Sequence, residues 1–248
     1  MISPKDHLIV ALDVPTAIEA QEIVYELGDS VSFYKIGLQL FTAEGPQFVS
    51  ELVNSGRKVF LDLKLHDIPN TVAGAVKAAA ELGVHMLTVH AAGGSKMLKE
   101  GVAASKSGTD HPIILGVTVL TSFSSSDLAE SGVSGSISDQ VQLLARTAQA
   151  AGCGGIVTSP QEASGVRSIL GPDLAIVTPG IRPAGSESQD QSRIATPSAA
   201  IRAGASHLVV GRPITAADNR NRAALTILGE IGSALGTVET EMAGSRPA

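Results

Sequence analysis

The sequence predicts an α/β protein built as a single (β/α)8 TIM barrel. Eight short runs rich in apolar and β-branched residues recur along the chain, separated by Ala/Glu/Gln-rich stretches with helical spacing. Several of those stretches stop at a glycine, as helices do when the chain must turn back. The length of 248 residues suits one such barrel, which takes about 250.

The first run, residues 8–12, leads to a helical stretch over 17–27 that stops at Gly28. Residues 31–36 follow, then a helix over 46–54 with Gly56 beyond it. The third run, 58–63, precedes a helix over 71–82 ending at Gly83. Runs 84–89 and 112–120 come next, and a helix over 137–151 ends at Gly152. The last three runs are 155–157, 174–177 and 208–210, with a helix over 197–203 stopping at Gly204. Little polar alternation interrupts the runs, which is the pattern of strands buried on both faces. A doubly wound open sheet shares this alternation but would place a Gly-rich nucleotide loop after its first strand, and Asp13-Val14-Pro15-Thr16 is not one. No linker divides the chain, so residues 1–248 read as one barrel domain with a frayed tail at 243–248. The Ser/Gly-rich stretches 122–138 and 185–191 read as polar loops of the kind that serve as lids.

Composition narrows the function. Hydrophobic residues make up 44% and charged residues 17%, enough apolar content for a proper core and too much for disorder. A net charge of −6 without basic runs makes a poor binder of nucleic-acid polymers or anionic membranes. Aromatics at 3% are too few for a base-stacking platform. The lone Cys153, in Ala151-Gly152-Cys153-Gly154-Gly155, excludes an internal disulfide framework and reads as a buried thiol where small residues let a helix pack closely on a strand. The first residues show no secretory signal and no apolar run spans a bilayer, so a cytoplasmic protein is expected.

The few charged residues that the apolar strands carry sit at or near their ends, where barrels keep their chemistry. Strand one ends at Asp13, strand two carries Lys35, and strand three runs through Asp62, Lys64, His66 and Asp67. Side chains alternate across a strand, so Asp62 and Lys64 share one face while Leu61, Leu63 and Leu65 take the other. Strands lie about 4.8 Å apart, which brings Lys35 within reach of Asp62. Burying such charges costs several kcal/mol unless partners compensate, and a set of two Lys and two Asp can balance to zero net charge. On the far side, strand seven runs into Pro179-Gly180-Ile181-Arg182 and strand eight into Gly211-Arg212-Pro213. The loops after strands seven and eight form the usual phosphate site of this fold, with backbone N–H groups at a short helix start. Gly211 would admit an anion close to the backbone, and Arg212 or Arg182 would add charge-assisted bonds.

These residues resemble the orotidine 5′-phosphate decarboxylase family, and its bacterial branch in particular. The likeness runs from Leu8-Ile9-Val10-Ala11-Leu12-Asp13 to Gly211-Arg212-Pro213-Ile214, and is most specific at Phe60-Leu61-Asp62-Leu63-Lys64-Leu65-His66-Asp67-Ile68-Pro69-Asn70-Thr71, which carries a D-x-K-x-x-D signature. The resemblance implies conversion of orotidine 5′-monophosphate to UMP and CO2 without metal or other cofactor, by a homodimer with sites shared across the interface. It implies that Lys64 protonates C6 and that Lys35, Asp62, Lys64 and Asp67 form an alternating charged array, Asp67 reaching in from the partner. Asp13 and Lys35 would contact ribose hydroxyls, as would Thr71 from the partner. Thr121 and Ser122 would lie by the pyrimidine, Gln191 on the closing loop, Arg212 and the Gly211 amide on the phosphate, and Pro179 and Arg182 on the loop after strand seven. His66 reads as positional and His90 as a hydrogen-bonded residue of the barrel mouth.

The related 3-keto-L-gulonate 6-phosphate decarboxylases and hexulose-phosphate synthases share the signature but use Mg²⁺ and carry an acidic residue where this chain has Lys35. A cation there would repel Mg²⁺ and leave it short of oxygen ligands. A Schiff-base aldolase, and a barrel that binds a phosphorylated ligand without catalysis, are the other readings of the same residues.

Overall fold

Eight parallel strands close on themselves in chain order: β1 (Leu8–Ala11), β2 (Phe33–Gly37), β3 (Lys58–Leu65), β4 (Met86–His90), β5 (Ile113–Val117), β6 (Gly155–Val157), β7 (Ala175–Thr178) and β8 (His207–Val210). The structure is a computed structural model and describes residues 3–107, 111–183 and 194–244. All eight expected strands are present, and β1 closes the ring by pairing Leu8, Ile9 and Val10 with Leu208, Val209 and Val210. The expected strand over 112–120 stops early, because Thr118 leaves the β4–β5 ladder and turns both its N–H and its hydroxyl to the carbonyl of Val157.

One expected helix is much longer than the sequence suggested, and further helices are present. The helix after β2 spans Leu38–Asn54, nearly twice the expected stretch, with a kink at Gly45 (φ 69°) and Pro46. Helices Gly94–Ala104, Ala163–Leu170 and Arg220–Gly244 were not anticipated. The stretch 122–138 is not a plain loop, since Ser124 caps a short helix, Ser125–Glu130, by accepting from the Asp127 N–H. Of the tail expected at 243–248, Ala243 and Gly244 belong to the final helix, whereas 245–248 lie outside the described residues, as does the stretch 185–191 with Gln191.

Two cores sit on either side of the strand ring. Inward positions Ile9, Phe33, Phe60, Met86, Leu115 and Val177 fill the interior, each at most 1% exposed. Outward positions such as Val10, Tyr34, Leu61 and Leu87 pack under the helices. Each such side chain contributes about 1.5–3 kcal/mol by leaving water. The small residues near Cys153 act differently from the expectation. A Cβ at Gly155 would run into the carbonyl oxygen of Ala175 and the Leu115 side chain, so that glycine serves the crowded interior. Close helix-on-strand packing falls instead to Gly116, whose Cβ would come within 2.7 Å of Ala148 Cβ. Cys153 is buried, and burial pushes its thiol up to about 12.

The N-terminal end of the barrel is closed by rings. His85 and His207 stand edge-on to Phe33 at centroid distances of 5.3 and 6.1 Å. Burial, reinforced by His7, His85 and Lys58, pushes His207 down to about 4, so its ring is neutral at physiological pH.

Candidate active site

In a parallel barrel the C-terminal ends of all strands open on one face, and here the inward positions change from apolar to charged on approaching it. Lys35 follows Phe33 on β2, Asp62 and Lys64 follow Phe60 on β3, and Thr88 follows Met86 on β4. The apolar layer below gives this polar layer a dry base.

The charges form one connected array. Lys35 Nζ donates to Asp13 Oδ1 at 2.8 Å and lies 3.7 Å from Asp62 Oδ2, which also accepts from Lys64 Nζ at 2.8 Å. Lys35 and Asp62 are 8% and 9% exposed. Burial pushes the Asp62 carboxyl up, but Lys35, Lys64 and the hydrogen bonds from Lys64 and Thr88 outweigh it and hold the group below the ordinary carboxylate range. The pair of lysines thus keeps a buried carboxylate ionised. Gly37 gives the array room: a Cβ there would stand 3.0 Å from Lys35 Nζ and 3.2 Å from Asp13 Oδ1.

Lys64 has an unusual backbone. Its φ of 52° is the only positive value at a non-glycine among the described residues. The β3–β4 register shifts between Leu61 and Leu65, and the Lys64 N–H donates to Thr88 Oγ1 at 2.9 Å. A left-handed non-glycine residue costs of the order of 1 kcal/mol or more and clusters at functional sites. The expected alternation survives this irregularity, since Leu61, Leu63 and Leu65 still pack under the helices while Asp62 and Lys64 face inward.

The array forms one wall of a cavity of about 450 Å³. Its opposite wall carries Pro179, Arg182, Gly211 and Arg212, with Thr121 also lining it. Arg182 is 7% exposed and donates to the Ile181 carbonyl at 2.9 Å. Burial, and then the like charge of Arg212, push its guanidinium below the ordinary value. Arg182 and Arg212 put two positive charges in the lining of one cavity, a charge pattern that suits a doubly charged anion. A Cβ at Gly211 would meet only Ala11 Cβ, at 3.7 Å.

Nine of the expected site residues therefore converge on one cavity: Asp13, Lys35, Asp62 and Lys64 on one side, and Thr121, Pro179, Arg182, Gly211 and Arg212 on the other. Asp67 and Thr71 are exposed and do not line it, and Asp67 Oδ1 accepts from the Ile68 N–H at 2.6 Å. Ser122, expected beside Thr121, is exposed and lies outside the cavity, because the chain turns away after Thr121 toward Phe123, whose N–H bonds to the Leu120 carbonyl. His90 makes a ring contact with His66, at 5.4 Å, rather than the expected hydrogen bond. Sequence reasoning missed Thr88 and Gly37. Thr88 is revealed by the register of the sheet, since β3 and β4 pair Phe60 with Met86, which sets the next inward residues, Asp62 and Thr88, at one level.

Fold and site define a class: (β/α)8 barrel enzymes that hold a small anionic substrate at the C-terminal mouth against an alternating array of lysines and aspartates. The sequence model of the orotidine 5′-phosphate decarboxylase / HUMPS family matches residues 6–227. The chain is 53% identical over 230 residues to orotidine 5′-phosphate decarboxylase from Rhodopseudomonas palustris (strain BisB5), covering 93% of this chain and 96% of that protein. It is 52% identical over the same coverage to the enzyme of that name from Rhodopseudomonas palustris (strain HaA2). The crystal structure of orotidine 5′-phosphate decarboxylase from Lactobacillus acidophilus superposes with a TM-score of 0.82 at 40% identity, covering 90% of this chain and 98% of that one. The chain belongs to the orotidine 5′-phosphate decarboxylase / HUMPS family.

Proposed function

We propose that the chain is a carboxy-lyase that converts orotidine 5′-monophosphate to UMP and CO2, the decarboxylation that completes UMP synthesis. The observation that carries this reading is the Asp13–Lys35–Asp62–Lys64 array facing Arg182 and Arg212 across one cavity. A nucleoside monophosphate with a carboxylate on its base has matching chemistry at both ends. The phosphate suits Arg182, Arg212 and the Gly211 amide, the ribose hydroxyls suit Asp13 and Lys35, and Thr121 faces the pyrimidine.

In the reaction the bond from C6 to the carboxylate breaks, CO2 departs, and the electron pair stays on C6. The ring delocalises that pair poorly, so fixed charges must stabilise it. Lys64 Nζ supplies the nearest cation and then its proton, which forms the C6–H bond of UMP. The neutral amine left behind recovers a proton from solvent, and atoms and charge balance with one proton consumed per turnover. Asp62, bonded to Lys64 Nζ at 2.8 Å, fixes where that ammonium sits.

The Mg²⁺-dependent relatives of this barrel need oxygen ligands where the Lys35 ammonium stands, 2.8 Å from Asp13 and 3.7 Å from Asp62. The Lys35 ammonium between Asp13 and Asp62 would repel a divalent ion and leave it short of oxygen ligands, so the proposed mechanism uses no metal. Loss of orotidine 5′-monophosphate absorbance should proceed at the same rate in dialysed protein with and without EDTA. Turnover abolished by EDTA and restored by Mg²⁺ would favour the metal-dependent chemistry, borohydride trapping a Schiff base, and ligand affinity without absorbance loss a binding role.

The reading includes a homodimer of single-domain barrels working in the cytoplasm, with no nucleic-acid polymer or membrane as partner. Among the described residues no helix is long and apolar enough to cross a membrane. Asp67 and Thr71 stand exposed at the end of the signature segment, off their own cavity, where they can complete a partner's site. Asp67→Asn and Lys64→Ala subunits, each inactive alone, should regain about a quarter of native activity on equimolar mixing, since half the dimers then hold one intact site of two. Absence of any recovery would place Asp67 outside the partner's site.

A further inference from the structure

We infer that Thr88 is a positioning residue for the reaction, its single hydroxyl holding both the Asp62 carboxylate and the Lys64 backbone in their working geometry. This rests on the decarboxylase reading above and assigns it a residue outside the D-x-K-x-x-D segment.

Thr88 is fully buried, on the inward face of β4 next to Met86. Its hydroxyl hydrogen goes to Asp62 Oδ1 at 2.9 Å, and its oxygen accepts the Lys64 N–H at 2.9 Å. Asp62 Oδ2 in turn accepts from Lys64 Nζ at 2.8 Å. The contacts close a ring: Lys64 backbone, Thr88 hydroxyl, Asp62 carboxylate, Lys64 ammonium, and back along the lysine side chain. Each Asp62 oxygen has its own partner, which fixes the carboxylate plane.

The same hydroxyl serves the strained point of β3. Where the β3–β4 ladder slips, the Lys64 N–H points to Thr88 Oγ1 and φ turns to 52°. A buried N–H left without an acceptor there would cost a lost hydrogen bond, so the hydroxyl is what lets the chain hold this turn. Displacing the Lys64 ammonium by about 1 Å is enough to cost orders of magnitude in proton delivery. Only a side chain that both donates and accepts from one atom, on a short stem, fills this role.

The test separates hydrogen bonding from packing. Thr88→Val keeps the volume and deletes the hydroxyl; Thr88→Ser keeps the hydroxyl and deletes a methyl group. The expected order of kcat is wild type close to Thr88→Ser, with Thr88→Val lower by about 10- to 100-fold. UMP affinity, which reports phosphate and ribose contacts, should stay within about threefold in both variants, so the loss falls on kcat. A packing role would reverse the order, with Thr88→Val at or above Thr88→Ser, and that result overturns the inference. If Thr88→Val does not fold, Thr88→Ser should exceed Thr88→Ala by at least tenfold in kcat, and equal rates overturn it. A wild-type protein that leaves orotidine 5′-monophosphate unchanged overturns the decarboxylase reading itself, an outcome distinct from either order of the variants.

Discussion

Lys64→Ala is expected to lower kcat by at least about 10⁴-fold while leaving the barrel folded. A positioned general acid contributes about 10²–10⁴-fold, and a fixed charge aimed at the developing carbanion about 10²–10³-fold more. Both are lost together when the ammonium is removed. The fold should tolerate the change, because the Lys64 side chain is 31% exposed at the cavity wall and belongs to neither apolar core. Asp62 would not be orphaned, since Lys35 and Thr88 remain beside it. Circular dichroism and UMP binding should match wild type as turnover disappears. A variant that decarboxylates at a near-native rate would remove Lys64 from the role of proton donor.

Arg212→Ala should lower kcat/KM by about 10²-fold or more, the equivalent of about 3 kcal/mol of transition-state binding. The phosphate does not react, so this loss measures how far a remote grip is used to drive chemistry at C6. Arg182 would remain on the same wall, buried and still cationic, and should preserve some affinity for a phosphate. The expected signature is a fall in kcat beyond the rise in KM. An unchanged kcat/KM would mean that the cavity wall opposite Lys64 does not hold the phosphate.

Much of this could be seen in the sequence because parallel barrels write their layers plainly. Phe60, Asp62 and Lys64 occupy successive inward positions of one strand, and simple alternation places them. Arg182 and Arg212 follow strands seven and eight, where the fold keeps anions. What escaped was set by contacts between elements. Thr88 looks like an ordinary β-branched strand residue until its neighbour is known to be Asp62. The left-handed turn at Lys64 arises from a slip between β3 and β4, and a lysine gives no hint of it. The helix Gly94–Ala104 begins in Gly and Ser, poor helix formers that the surrounding packing overrides. Ser122 is adjacent to Thr121 in sequence but lies outside the cavity lining, because the chain turns between them.

The filled barrel beneath the site has a consequence for traffic. Phe33, Phe60, Met86 and Leu115 occupy the axis below the charged layer, and the ring of His85 and His207 around Phe33 stoppers the far end. Among the described residues the chamber is closed at its base and opens toward the C-terminal ends of the strands. In the proposed reaction orotidine 5′-monophosphate would enter, and CO2 and UMP would leave, through that mouth past Arg182 and Arg212. On the proposed phosphate site, arrival of one nucleotide and departure of the last would exclude each other, and the group that draws the substrate in would also have to release the product. In that reading the tightness of the grip would set a ceiling on turnover that no improvement in the chemistry at C6 could lift.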